Sequence, residues 1–244
     1  MNERYNIIDN IRGLNLISMI LYHAMWDFVY MYGNNIEWYK GTKGYIWQQC
    51  ICSLFIFISG FCWSFGKNKL KRGMEVFLAG LIITAVTLLI MPHNRIIFGV
   101  LTFMGTCMLV MIPLDKMLKK ANIGIGILIC VMLFIILKNV NLGLLGFEKW
   151  NFFKLPQFLY ANYFTTFLGF THEGFYSTDY FSIFPWIFLF ILGYFVYRFM
   201  QKNDYIKLLK GKRLPVITNI GKNTLIIYLL HQPVLYLLFI VFYK

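Results

Sequence analysis

Three side chains near the start of the chain, Arg12, His23 and Asp27, could do acid–base chemistry if one helix presents them together. His23 and Asp27 are four residues apart, hence neighbours on a helix face. A carboxylate beside an imidazole fixes its tautomer and supports its protonated form, the arrangement a general base uses. Arg12 lies about three turns away, roughly 16 Å from His23 at 1.5 Å per residue, and a guanidinium is suited to a phosphate. At about 100° per residue, Asp9, Arg12, Asn15, Met19, His23, Trp26, Asp27 and Tyr30 fall in an arc roughly 120° wide, and Leu14, Ile17, Leu21, Met25 and Phe28 lie opposite. A polar stripe with an apolar back lines a bundle interior or a water-filled passage. The plainer reading is that His23 and Asp27 tie helices together by hydrogen bonds.

A second imidazole comes from the far end of the chain. His231 is about eight residues past Asn223, roughly 12 Å along a helix, and His23 is about nine past Leu14, so the two are expected at similar depth. Thr224, Tyr228, His231 and Leu235 share a face, and Pro233 frees the carbonyl of Leu229. A site role and a packing role stay open for His231. His93 and His172 read as exposed loop histidines, Glu75 as a solvated neighbour of Lys67–Arg72, and Asp179 as a cap for the sixth span.

The elements that must hold these residues are set by composition. The 244 residues are 59% hydrophobic, 19% aromatic and only 14% charged, with mean hydropathy +0.63. Globular domains carry roughly 25% charged residues. The chain reads as an all-α polytopic membrane protein, which excludes a soluble enzyme, a secreted disulfide scaffold and a DNA-binding domain. Seven spans are expected, at Leu14–Met31, Tyr45–Gly66, Met74–Met91, Ile96–Leu114, Ile123–Leu137, Phe181–Met200 and Asn223–Tyr243. The aromatic-rich connection Lys138–Tyr180 is too interrupted for a span and reads as a re-entrant or interfacial helix. The whole chain, 1–244, reads as a single transmembrane domain without internal repeats.

The net charge of +13 is concentrated in the segments Arg4–Arg12, Lys67–Arg72, Lys116–Lys120 and Arg198–Lys222, which alternate with segments holding few cations. The positive-inside rule then puts the N-terminus in the cytoplasm and the C-terminus outside, in a bacterial-type cytoplasmic membrane. These cations face membrane lipid rather than nucleic acid. The five cysteines lie in apolar runs and read as buried free thiols. The first apolar segment contains Asn15, His23 and Asp27 and no small-residue cleavage site, so it reads as a retained helix.

Five stretches, in order, carry a resemblance. They are Asp9-Asn10-Ile11-Arg12-Gly13 followed by Met19 and His23; Leu54-Phe55-Ile56-Phe57-Ile58-Ser59-Gly60; Arg95-Ile96-Ile97-Phe98-Gly99-Val100-Leu101; Phe184-Pro185-Trp186 with Leu192-Gly193; and Ile220-Gly221-Lys222-Asn223-Thr224-Leu225 leading to Tyr228-Leu229-Leu230-His231-Gln232-Pro233. The chain resembles, over essentially its whole length, the heparan-α-glucosaminide N-acetyltransferase catalytic-domain family within the wider transmembrane acyltransferases. Many bacterial members carry histidine where this chain has Thr102, and the large eukaryotic members place an active histidine in the first outer loop, where Tyr32–Gly44 has none. The resemblance implies a cytoplasmic acyl-CoA donor as co-substrate, no metal, and a carbohydrate or other small-molecule acceptor on the far side.

The reading that joins residues and resemblance is acyl transfer from acetyl-CoA or another short acyl-CoA. Arg12, with Asn15, Lys71, Arg72 and Thr102, is expected on the donor side. His23, oriented by Asp27, would deprotonate the acceptor or take the acyl group transiently, and His231 or Thr102 would polarise the thioester carbonyl. The alternative from another class is a non-enzymatic carrier or lipid-binding protein that uses the stripe as a polar path. Trp150 and Tyr160 in the aromatic connection either stack on a sugar or form a belt at the membrane surface. Homodimerisation stays open.

Overall fold

The structure is a computed structural model that describes residues 5–242; the expected span end at Tyr243 and the cation Arg4 lie outside them. In chain order the elements are α1 (Asn6–Trp26), running on into a π-helical turn over Asp27–Met31, α2 (Glu37–Lys40), α3 (Thr42–Trp63), α4 (Lys69–Ile90), α5 (Val100–Leu118), α6 (Ile123–Ile136), β1 (Leu144–Phe147), β2 (Trp150–Lys154), α7 (Tyr163–Leu168), α8 (Trp186–Lys202), α9 (Pro215–Lys222) and α10 (Thr224–Phe242). Among the described residues, five helices are long and apolar enough to cross a membrane. They are Thr42–Trp63, Lys69–Ile90, Val100–Leu118, Ile123–Leu142 and Thr224–Phe242. The first and sixth expected spans coincide with α1, which carries the polar stripe, and α8, which has 17 residues where a span needs about 20.

The chain divides into two compact units, Met1–Ile58 with Met200–Lys244, and Ser59–Phe199. In the first, α1 packs on α9 and α10. A Cβ on Gly13 would strike the carbonyl of Ile217, and one on Gly221 the carbonyl of Asp9. Only glycine lets these backbones come so close, which in lipid is a main source of helix association. The amides of Asn6 and Asn10 donate to the carbonyls of Lys210, Gly211 and Lys212, and the Thr218 hydroxyl donates to Asn10 Oδ1 at 2.5 Å. The start of α1 is thereby tied to the segment leading into α9.

The stripe faces inward as its periodicity requires. Asp9, Asn15, Met19 and Asp27 are buried, and Leu14 and Leu21 on the apolar back are 52% and 55% exposed. Tyr30 departs from the expectation. It lies in the π turn and is exposed, because a wider turn rotates its later residues out of the 3.6-residue register.

In the second unit α4 and α5 pack through small residues. Cβ atoms on Gly80 and Gly105 would meet the backbones of Thr102 and Phe77. The Arg198 guanidinium donates to the carbonyls of Leu118, Lys119 and Ala121 at 2.6, 2.9 and 3.2 Å. It thereby gathers carbonyls at and just past the C-terminal end of α5. The connection between the fifth and sixth expected spans holds an antiparallel hairpin, Phe147 pairing Trp150, and the six-residue helix α7. Asn139 pins the hairpin through Glu148 O and Asn151 Oδ1, both at 2.7 Å. One expectation is corrected here. Asp179 does not cap α8: its Oδ2 accepts from Val100 N–H at 3.2 Å, at the start of α5. Burial raises this carboxyl to about 6, against the pull of the Val100 N–H.

Cys50 is exposed and Cys62, Cys107 and Cys130 are buried, and none of the five cysteines is in a disulfide. His93 is exposed as expected. His172 is not: its Nδ1 lies 2.7 Å from the Thr166 hydroxyl, and its ring packs on Tyr163.

Candidate active site

α1 and α10 bring His23 and His231 together, with ring centroids 4.9 Å apart and planes tilted by 58°. His231 Nδ1 is hydrogen-bonded to the carbonyl of Tyr228, one turn earlier. A carbonyl can only accept, so the network assigns the proton to Nδ1 and leaves a lone pair on Nε2. That Nε2 is buried and has no hydrogen-bond partner. In this tautomer Nε2 can receive a proton and cannot donate one, which suits a base rather than a group polarising a thioester carbonyl.

Aromatic packing fixes the pair. The Tyr22 ring meets His23 edge-on at 6.0 Å, and the Tyr22 carbonyl accepts from the Tyr39 hydroxyl at 3.0 Å. Burial, with Tyr22 beside it, pushes the Tyr39 phenol well above its ordinary value, so it stays a donor. Trp47 Nε1 donates to Ser18 Oγ at 2.9 Å, joining α3 to the same helix. Tyr228 packs against His231 on one side and Phe55 on the other.

Asp27 has a different partner from the one its spacing suggests. The carboxylate is 1% exposed, and its two oxygens lie 2.8 and 3.0 Å from Gln232 Nε2. It makes no hydrogen bond to His23, whose ring faces His231 instead. A buried carboxylate takes the nearest good donor, here an amide on the facing helix. Gln232 is the partner that helix spacing alone overlooks. Its signal is an amide inside an apolar span directly after a histidine, where every polar group needs a reason.

The remaining expected residues divide. Arg12 Nη1 sits 4.0 Å from Asp9 Oδ1, one turn earlier on α1. Asn15 is buried with its amide nitrogen committed to the Ile51 carbonyl at 3.0 Å, so it ties α1 to α3. The other three belong to the second unit. Lys71 is exposed and pairs with Glu75 at 3.9 Å, Arg72 lies beside Gly66, and Thr102 is buried with no partner for its hydroxyl.

That unit also holds a polar cluster that spacing did not reveal. Asp115 accepts from the Tyr194 hydroxyl at 2.7 Å, pairs with Lys119 at 2.7 Å, and has Lys69 at 3.7 Å; Lys69 lies over the Trp63 ring at 3.6 Å. Among the described residues no three His, Cys, Asp or Glu side chains gather as a metal site.

Residues 4–233 match the family model described as heparan-alpha-glucosaminide N-acetyltransferase, catalytic. No curated protein and no solved structure matches the chain.

Proposed function

This chain belongs to the heparan-alpha-glucosaminide N-acetyltransferase catalytic family, which points to a membrane acetyltransferase, and on that premise we propose that it moves an acetyl or short acyl group from acyl-CoA to an amine or hydroxyl acceptor at the His23–His231 pair. The observation that carries the reading is the buried, unpartnered Nε2 of His231, 4.9 Å ring to ring from a second imidazole.

The donor enters from the cytoplasm and the acceptor, a sugar or other small molecule, from the opposite side; the distribution of Lys and Arg supports this orientation. Arg12 on the first unit neutralises CoA phosphate. Asn15 holds α1 in place rather than touching the donor.

Two transfers bridge the sides. A His23 ring nitrogen attacks the thioester carbon, the C–S bond breaks, and the CoA thiolate leaves as thiol with the proton His23 gives up. The acceptor then attacks the acetyl carbon as its own proton passes to His231 Nε2. The C–N bond to His23 breaks, and the imidazole recovers the proton from His231.

The test is to mix the purified chain with acetyl-labelled acetyl-CoA in the absence of acceptor, quench, and count label on protein. Label is expected on the wild type and absent from His23→Ala, with acetyl-CoA binding retained in both. Equal labelling of the two proteins would remove His23 from the chemistry.

A further inference from the structure

We infer that Gln232 is the residue that positions the acyl acceptor, its amide aimed by Asp27; this rests on the acetyltransferase reading above. A carboxylate only accepts hydrogen bonds. Both Asp27 oxygens lie within 3.0 Å of Gln232 Nε2, so the amide has one allowed orientation, because a flip would set its oxygen against the carboxylate. Gln232 Oε1 is therefore fixed as the end of the amide turned away from Asp27, and it is buried with no hydrogen-bond partner.

The adjacent residue shows the same condition. His231 Nε2 is also buried, also unpartnered, and also an acceptor. Buried acceptors left unpaired are uncommon, because each gives up its water without a replacement. Two on consecutive residues mark a place that receives hydrogens from outside the chain. A thioester has no polar hydrogen to offer them, whereas the acceptor's amine or hydroxyl does. The pair thus fits the nucleophile: His231 Nε2 takes the proton that leaves, and Gln232 Oε1 holds the nucleophile's remaining polar hydrogen or a neighbouring hydroxyl. Asp27 becomes a positioning residue that acts through Gln232 and not through His23.

The experiment compares full-length wild type, Gln232→Leu, Asp27→Asn and the double variant, with glucosamine and labelled acetyl-CoA as probes. Gln232→Leu removes the acceptor oxygen. Asp27→Asn keeps the shape but can donate, so the Gln232 amide is free to flip and present NH2 where oxygen stood.

Each single variant is expected to raise KM for glucosamine about tenfold or more, the scale of one lost hydrogen bond at a buried acceptor. Acetyl-CoA binding and acceptor-free labelling of the protein should be unchanged. The double variant should be no worse than either single one, because both act through one amide. Should Gln232→Leu fail to fold, the near-isosteric Asp27→Asn carries the same prediction. An unchanged glucosamine KM, a parallel loss of acetyl-CoA binding, or additive single effects would overturn the inference and leave the acetyltransferase reading standing. A wild type that never transfers acetyl from acetyl-CoA removes both.

Discussion

His231 can serve as a base only while its proton sits on Nδ1, and the Tyr228 carbonyl keeps it there. In the proposed mechanism the two imidazoles act in different steps, which can be separated in time. His231→Ala should still take label from acetyl-CoA but deliver it to glucosamine about 10²–10⁴-fold more slowly, the range for loss of a general base; rapid-quench kinetics reads both steps. Thr102 offers a second check. Replacing its buried, unpartnered hydroxyl by valine removes an orphan polar group, so Thr102→Val should melt no lower than wild type. The residue types are legible in the sequence, because an imidazole or carboxylate inside an apolar span demands a reason. Their pairing is less so. The i, i+4 rule sees only one helix and matches Asp27 to His23, whereas its donor is Gln232, 205 positions away.

At the scale of elements, the crossing of α1 and α9 explains why glycines sit in the stretches Asp9–Gly13 and Ile220–Leu225. A methyl group at Gly13 or Gly221 meets a backbone carbonyl rather than a side chain that could move aside. Gly221→Ala is expected to lower stability by about 2 kcal/mol or more, as overpacking does when the neighbour cannot yield, visible as a falling Tm in detergent.

The clasp between residues 95–100 and 176–181 carries the second prediction at this scale. Phe181 N–H donates to the Phe98 carbonyl at 2.9 Å, Thr178 N–H to the Arg95 carbonyl at 3.1 Å, and Asp179 caps α5. Burial raises Asp179 from 3.8 to about 6, so between those values the folded clasp binds more proton than the open chain. Stability is therefore full below 3.8 and falls as pH rises through about 6. The protection factor of this segment's amides, which removes the intrinsic rise of exchange with pH, should fall over that window in wild type and stay flat in Asp179→Asn. Helical periodicity could not foresee this cap, since it joins two loops about 80 residues apart. Nor could it foresee the hairpin, where two strands of four and five residues are too short to show an alternation.

At the scale of the molecule, the membrane class and most of the helices follow from long apolar runs, which hydropathy reads well. The two expected spans not found among the five long apolar helices fail for identifiable reasons: α1 is made polar by its stripe, and α8 is short. The account requires both to cross, with donor and acceptor approaching from opposite sides. The direct measurement uses sealed proteoliposomes with the chain in one orientation, labelled acetyl-CoA on the side of the N-terminus and glucosamine on the other. The account predicts labelled N-acetylglucosamine accumulating on the glucosamine side, and none with His23→Ala. Product confined to the acetyl-CoA side, or formed equally well by His23→Ala, would contradict it.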